Sequence, residues 1–273
     1  MSLALSPGGA RPRVGPRSVM FEAPRAATRS GLRVARTSLF LLETLGWVRE
    51  RHRYPTTEIA PGLRRRAHDM QWIAENICAM HGVAVDIRGP IPDSPCLLVA
   101  NHVGYLDPLA IAGALPCVAI AKQEVSQWPI FGEAMERLGN LFVTRGCAHS
   151  GARVLFRARQ SLERGVSVLC FPEGTTSMGD EVLPLQRGIF GLAKIANVPI
   201  VPVAVRHRPR ESAWVGDQNF VPHYLRTAAR TTTRVELRFD GPLSPSAAET
   251  AEGLASLART RLRARLRDLR VLS

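Results

Sequence analysis

An apolar run leads directly into a histidine and an aspartate in the stretch Cys96-Leu97-Leu98-Val99-Ala100-Asn101-His102-Val103-Gly104-Tyr105-Leu106-Asp107. A short, continuous apolar run of this kind predicts a buried strand of a parallel or mixed sheet. A histidine backed by a carboxylate is typical of proton-transfer sites, and no serine or cysteine stands beside the pair as a nucleophile. The spacing by itself is weak evidence, because either residue could equally cap a helix or carry surface charge.

From residue 83 onward, short apolar runs alternate with helical patterns. This alternation predicts an α/β fold, a single domain with a mixed, largely parallel sheet flanked by helices. The predicted strands are 83–88, 96–100, 117–121, 141–144, 166–171, 200–206 and 235–239. The predicted helices of this part are 107–115, 128–138, 149–164 and 186–196.

Composition divides the chain into four segments. Residues 1–29 are rich in Pro, Gly, Ser and Arg without periodicity, which predicts a disordered basic N-terminal segment. Residues 30–82 predict N-terminal amphipathic helices, the second of them at about 63–80. Residues 83–245 form the α/β domain, and residues 246–273 predict a C-terminal basic helix.

The first N-terminal helix carries leucines at helical spacing, flanked by arginines on both sides. One interpretation is a helix packed on the domain. The other is an interfacial helix with its apolar face in a membrane and its arginines on anionic headgroups. Amphipathic patterning alone does not separate these alternatives, and the C-terminal helix leaves the same choice open.

The chain of 273 residues has a formal net charge of +13, almost all from arginine, since Lys122 and Lys194 are the only lysines. This excess of positive charge favours binding to anionic membrane surfaces or to phosphorylated ligands. The sequence lacks the motifs that are typical of nucleic-acid-binding proteins. The five cysteines have neither disulfide nor metal-site spacing, which predicts reduced, buried thiols in a cytoplasmic protein. We expect no signal peptide and no transmembrane helix, because no uninterrupted apolar stretch of about 20 residues occurs.

Four ordered blocks carry a resemblance to a known family. They are Asn101-His102 with Asp107, then Gly139-Asn140-Leu141-Phe142-Val143-Thr144-Arg145, Phe171-Pro172-Glu173-Gly174-Thr175-Thr176, and Val201-Pro202-Val203-Ala204-Val205. This succession resembles the glycerolipid acyltransferase family, which includes the 1-acylglycerol-3-phosphate acyltransferases. The likeness covers about residues 83–210.

The resemblance implies transfer of a fatty acyl group from acyl-CoA or acyl carrier protein to a lysolipid hydroxyl, with no cofactor and no metal. His102 would be the general base and Asp107 would orient it. The expected substrate-binding residues are Asn101, Gly139, Arg145, Glu173, Gly174 and Thr175, with Lys122 as a candidate anion contact. The expected location is peripheral, on the cytoplasmic face of the inner membrane.

Several roles stay open within this resemblance. Asn101 would either orient the loop or help to bind the oxyanion, and Arg145 matches the position associated with the acceptor's phosphate. Glu173 would bind an acceptor hydroxyl or an arginine, or would only satisfy backbone donors of its turn. Cys170 is expected to be an inert core thiol.

Two departures from the family pattern affect the acceptor. Gly104 stands where Ser or Thr is usual, and Thr176 stands where phosphatidic-acid-forming members often have arginine. Both weaken the case for lysophosphatidic acid. The run Phe171–Ser177, with Lys122-Gln123-Glu124-Val125 and Trp128-Pro129, more closely resembles bacterial lyso-lipid acyltransferases, including those acting on lyso-ornithine lipid. The alternatives are a catalytically weak lipid-binding protein and a thioester hydrolase. His207 and His223 lack partners at metal-ligand spacing, and the sequence assigns them no role.

Overall fold

The computed structural model describes residues 25–52 and 60–271. Within these ranges one seven-stranded sheet runs through the molecule. Its strands are β1 (Val83–Arg88), β2 (Leu97–Ala100), β3 (Cys117–Lys122), β4 (Leu141–Val143), β5 (Ser167–Cys170), β6 (Ile200–Arg208) and β7 (Thr233–Phe239). Their spatial order is β1-β7-β6-β2-β5-β3-β4.

Every pairing in this sheet is parallel except that between β6 and β7. The carboxyl ends of β2, β3, β4, β5 and β6 therefore meet at one edge of the sheet. The prediction of an α/β domain with a mixed, largely parallel sheet is confirmed. The predicted strands all occur, with ends displaced by two residues at most.

Helices cover both faces of the sheet. They are α1 (Ala26–Arg51), α2 (Ala60–His81), α3 (Leu106–Ala114), α4 (Phe131–Arg137), α5 (Ala148–Glu163), α6 (Gly188–Ala196), α7 (Phe220–Ala229) and α8 (Ala251–Val271). The apolar core on one face is built with α1, α2 and α3, and the core on the other with α5, α6 and α8. β2 is buried along its whole length because it lies between these two layers.

Helix α7 was not predicted from the sequence. The buried residues of this helix are His223, Thr227 and Ala228, which are polar or small, whereas Val221 and Leu225 are exposed, so its large apolar side chains do not mark its buried face. Pro222 near its start also argues locally against a helix, although proline is tolerated in a first turn. The helix is fixed by packing on α1, where Ser30 and Arg33 bond its backbone carbonyls.

Helix α1 has one face against the domain and another in solvent. Phe40, Leu45 and Val48 are buried, whereas Leu32, Leu39 and Leu42 are 54%, 59% and 54% exposed. The leucine stripe of the sequence is thus divided between the two faces. The helix begins at Ala26, inside the segment 1–29 that was predicted to be disordered; residues 1–24 lie outside the described residues. No helix of the described chain is both long and apolar enough to cross a bilayer.

Candidate active site

The histidine of the opening motif lies at the carboxyl edge of the sheet. Its loop follows β2, which pairs with β6 on one side and with β5 on the other. Loops that follow parallel strands at such an edge are the usual place for substrate sites of α/β proteins. Asp107 lies in the first turn of α3, which returns the chain towards His102.

His102 and Asp107 form a close pair. The Nδ1 atom of His102 is 2.7 Å from Oδ2 of Asp107. The Asp107 side chain is completely buried, while that of His102 keeps 19% of its surface exposed. Phe171 stacks on the imidazole with ring centroids 4.1 Å apart, which fixes the plane of the ring. Within the described chain, Nε2 of His102 has no hydrogen-bond partner. That nitrogen is available to take a proton from a bound group.

Asp107 accepts hydrogen bonds on both of its carboxylate oxygens. Besides the imidazole, Oδ2 accepts the backbone N–H groups of Val103 at 2.6 Å and Gly104 at 2.9 Å. Oδ1 accepts from Nε2 of His207 at 2.6 Å. Burial acts to raise the pKa of Asp107, but the charge of His207 and the hydrogen bonds from both imidazoles outweigh it and hold the pKa below its usual range. The carboxylate is therefore ionised where it supports His102.

The main chain of His102 is clamped by the loop that follows β5. Glu173 accepts the N–H of His102 through Oε2 at 2.9 Å and the N–H of Leu183 through Oε1 at 2.8 Å. The N–H of Ser177 donates to the carbonyl of His102 at 2.8 Å. Burial raises the pKa of Glu173, because its charged form is removed from water. The sequence left several roles open for Glu173. The described contacts match the role of accepting hydrogen bonds from backbone N–H groups, one at His102 and one at Leu183.

Asn101 lies beneath the site as a link between β2 and β6. Its amide group donates to the carbonyl of Val205 at 2.9 Å, and its carbonyl oxygen accepts the N–H of Val205 at 2.8 Å. The residue is fully buried. The geometry gives Asn101 the loop-orienting role of the two that the sequence left open, while contact with substrate stays a prediction.

Gly174 and Thr175 form the turn that follows Glu173. Gly174 has a positive φ of 72°, which favours glycine, and a Cβ there would lie 2.6 Å from the side chain of Gln186. Thr175 is exposed. Glycine is therefore required at position 174 by the backbone and by Gln186, and substrate contacts of both residues stay predictions.

Gly139 and Arg145 flank β4 on either side. Gly139 makes the turn from α4 into the strand with φ of 91°, and its N–H donates to the carbonyl of Glu136 at 3.0 Å. These features explain a glycine in the turn, and contact of Gly139 with substrate stays a prediction. Arg145 lies two residues after β4 and is exposed, without an ion-pair partner among the residues that the structure describes. Its guanidinium is free to meet an anion.

Lys122 ends β3 and lies over an aromatic ring near the histidine loop. Its Nζ is 5.6 Å from the ring centroid of Trp214. The backbone N–H of Trp214 donates to the carbonyl of Val103 at 3.0 Å. Lys122 is therefore close to the loop of His102, and its part in anion binding stays a prediction.

Sequence reasoning missed His207 as a member of this site. The residue is separated from Asp107 by 100 positions and belongs to the end of β6. Its position two residues after the fourth block was a usable signal, since parallel strands that neighbour β2 bring their carboxyl ends to His102. His223 also lies nearby, donating or accepting at 3.3 Å with the hydroxyl of Tyr105.

The thiols and the titratable clusters of the described chain supply no other chemistry here. Burial raises the pKa of Cys170, which disfavours the thiolate that a nucleophile requires. Cys147 is exposed, and the other described cysteines are buried. Among the described residues, no group of three or more His, Cys, Asp or Glu side chains could hold a metal ion.

Comparison with known proteins gives consistent matches. A family model described as Acyltransferase matches residues 82–206. The lyso-ornithine lipid O-acyltransferase of Pseudomonas aeruginosa is 32% identical over 212 residues, covering 76% of this chain and 80% of that protein. The 1-acyl-sn-glycerol-3-phosphate acyltransferase of Neisseria meningitidis is 31% identical over 137 residues, covering 50% of this chain and 54% of that protein.

A solved structure has the same fold. The crystal structure of the 1-acyl-sn-glycerophosphate (LPA) acyltransferase PlsC of Thermotoga maritima matches with a TM-score of 0.66 at 21% identity. The match covers 89% of this chain and 95% of that chain. The likeness extends to the helices outside the family match, and at this identity it concerns the fold alone.

Proposed function

This chain is an O-acyltransferase that belongs to the Acyltransferase family, and we propose that it transfers a fatty acyl group from a thioester donor to the hydroxyl of a lysolipid. The observation that carries the proposal is the His102–Asp107 pair at the carboxyl edge of the sheet. Its Nδ1 is engaged at 2.7 Å by a buried carboxylate, while the ring stays partly exposed. This is the arrangement that a general base needs.

The proposed reaction is a direct transfer in which no acyl-enzyme forms. Nε2 of His102 removes the proton of the acceptor hydroxyl while the oxygen attacks the thioester carbonyl carbon. The tetrahedral intermediate then collapses, the carbon–sulfur bond breaks, and the departing thiolate takes the proton from the imidazolium. Asp107 stabilises the imidazolium between these steps. The buried thiol of Cys170 is consistent with a route that involves no cysteine nucleophile.

Two classes of acceptor follow from the relatives. The general proposal is a lysolipid of the 1-acylglycerol-3-phosphate type. A lyso-ornithine lipid is the specific alternative, supported by the match to the Pseudomonas aeruginosa enzyme, which covers 76% of this chain. Thr176, which replaces an arginine common in phosphatidic-acid-forming members, also supports this alternative. The donor is proposed to be acyl-CoA or acyl carrier protein.

We further propose that the enzyme works at a membrane surface, since its acceptor is a lipid. Exposed apolar side chains lie on the two packed helices α1 and α7. They are Leu32, Leu39, Leu42, Val221 and Leu225. Exposed arginines border them, including Arg36 and Arg226. An apolar face edged by arginine suits the interface of an anionic bilayer.

The test is the substitution His102→Ala, with His68→Ala on the exposed side of α2 as the matched control. Loss of a general base is expected to lower kcat by about 10²–10⁴-fold. Transfer of a labelled acyl group to a lysolipid in detergent micelles is measured, and circular dichroism checks that the variant is folded. Activity of the folded His102→Ala protein equal to that of the control would overturn the mechanism. Release of fatty acid without acceptor would identify a hydrolase, and an inactive wild-type chain that binds lipid would identify a binding protein.

A further inference from the structure

A second histidine is bound to the carboxylate that supports His102. The imidazole of His207 is only 1% exposed, and its Nε2 is 2.6 Å from Oδ1 of Asp107. Its other nitrogen, Nδ1, faces the backbone carbonyl of Ser212 at 3.3 Å. Both neighbours of the ring are acceptors. Since a neutral imidazole has a single N–H, only an imidazolium donates to both of them.

The glycine of the histidine loop lies beside this imidazole. A Cβ at position 104 would make an ordinary contact of 3.6 Å with Cε1 of His207 and a tighter one of 3.3 Å with the backbone nitrogen of Trp214. The absence of a side chain at Gly104 therefore favours the close approach of the backbone at Trp214, in the segment after β6. The hydroxyl that the family usually carries at this position is missing, and His207 supplies a donor to the same carboxylate from another strand.

We propose that His207 is a positioning residue for acyl transfer, which acts through Asp107 as a buried cation and sets the pH at which His102 becomes a base. The inference rests on the proposed function, because His102 is taken as the general base. The Oδ2 atom of Asp107 accepts three hydrogen bonds, one of them from Nδ1 of His102. Among the described residues, Oδ1 accepts one hydrogen bond, from Nε2 of His207. The carboxylate is therefore shared between two imidazoles.

Charge determines the direction of the effect. The titratable groups that act on His207 directly are Asp107 on α3 and His223 on α7, while His102 and Glu173 act on Asp107 from the two neighbouring loops. A positively charged His207 at Oδ1 offsets part of the negative charge of Asp107, which would otherwise stabilise the imidazolium of His102. Removal of that positive charge would leave more of the carboxylate's negative charge to interact with His102.

The experiment compares His207→Gln, His207→Leu and the control His223→Gln. Glutamine keeps a donor for Asp107 but removes the charge, whereas leucine removes both. His223 is a matched control because it is buried at the same end of the molecule and bonds the carbonyl of Ala213 instead of the carboxylate. The readouts are kcat/KM between pH 5 and pH 9, and the NMR titration of the His102 imidazole without substrate.

The acidic limb of the kcat/KM profile and the His102 titration are expected to move to higher pH by about one unit in His207→Gln. The His223→Gln profile should coincide with the wild type. His207→Leu leaves a buried oxygen without its donor and should lower the plateau of kcat/KM about tenfold. Identical titrations of His102 in the wild type and in folded His207→Gln would overturn the proposal.

The two proposals can fail separately. If the His102 titration moves as expected but His102→Ala retains activity, the role of His207 stands as an electrostatic one and the general-base mechanism falls. If His102→Ala is inactive and the titration does not move, the mechanism stands and the role of His207 falls.

Discussion

Each carboxylate of the site has a different task. Asp107 contacts the imidazole directly and receives four hydrogen bonds, which keep it ionised in spite of complete burial. Glu173 contacts the backbone on the other side of the same histidine and leaves the ring untouched. One residue therefore contacts the ring of His102, while the other fixes the position of its main chain.

Arg145 provides a test of the acceptor at the scale of one residue. Arg145→Gln should reduce kcat/KM for a phosphorylated lysolipid about tenfold or more, because a charge-assisted contact to phosphate is lost. An acceptor without phosphate, such as lyso-ornithine lipid, should lose much less. The measurement is a panel of both acceptors with one labelled donor.

The matched control for this panel is Arg153→Gln, an exposed arginine of α5. Equal losses for both acceptors in Arg145→Gln would argue against a phosphate clamp at this position. A preference of the wild-type enzyme for one acceptor would decide between the two proposed lipids.

One face of helix α1 packs on the domain, and the opposite face is exposed to solvent. Its buried face carries Phe40 and Val48 into the core shared with α2 and α3, and its arginines bond carbonyls at the end of α7. Its outer face presents Leu32, Leu39 and Leu42 to solvent. Removing the helix would expose apolar core as well as abolish the outer face. Truncation is for this reason a poor test of membrane binding.

Point substitutions separate the two functions of α1. Leu39→Gln combined with Leu42→Gln should weaken binding to anionic vesicles by about tenfold, because each fully inserted leucine contributes about 1.5–3 kcal/mol of apolar burial and these are inserted in part. The melting temperature should change little, since both side chains are exposed. Vesicle co-sedimentation gives the bound fraction.

The paired control is Ser38→Gln, on the same helix and also exposed. Unchanged sedimentation of the double leucine variant would show that this face does not meet the membrane.

At the scale of the whole molecule, the site joins elements that are far apart in the chain. β5, β2 and β6 are neighbours in the sheet, where β2 and β5 are buried along their length and β6 is buried from Ile200 to Val205. Their carboxyl ends then deliver His102, Glu173 and His207 to one edge. Stability and catalysis are coupled there through the buried carboxylate of Asp107.

This coupling predicts how stability depends on pH. The pKa of Asp107 is lowered in the folded state, so its contribution is fully present above the ordinary carboxyl pKa of about 4 and is lost as the pH falls towards the folded value. Asp107→Asn should cost about 3 kcal/mol at pH 7, because it leaves two imidazoles without their charged partner. The difference between the wild type and the variant should shrink below pH 4.

Urea unfolding at a series of pH values measures this difference directly. Other carboxylates, such as Asp69 and Glu133, also have lowered pKa values, but they occur in both proteins and cancel in the comparison. A difference that stays constant from pH 7 to pH 3 would contradict the assigned role of the Asp107 charge.

The amino-acid sequence by itself determined the strands, most of the helices and the His102–Asp107 pair. These depend on local patterns, namely short apolar runs, helical periodicity and a motif contained within six residues, His102 to Asp107. Arg145 and Glu173 were singled out by the resemblance of their blocks to the family pattern, and their contacts with substrate stay predictions.

Only the tertiary structure decided which groups meet. Helix α7 is held by side-chain hydrogen bonds from Ser30 and Arg33 of α1, and its own ten residues do not specify that partner. The leucines of α1 were divided into buried and exposed sets by the position of the domain beneath them. His207 meets Asp107 across 100 residues because β6 pairs with β2 in parallel. Local periodicity specifies an element, whereas partners distant in sequence are set by the order of the strands and the packing between layers.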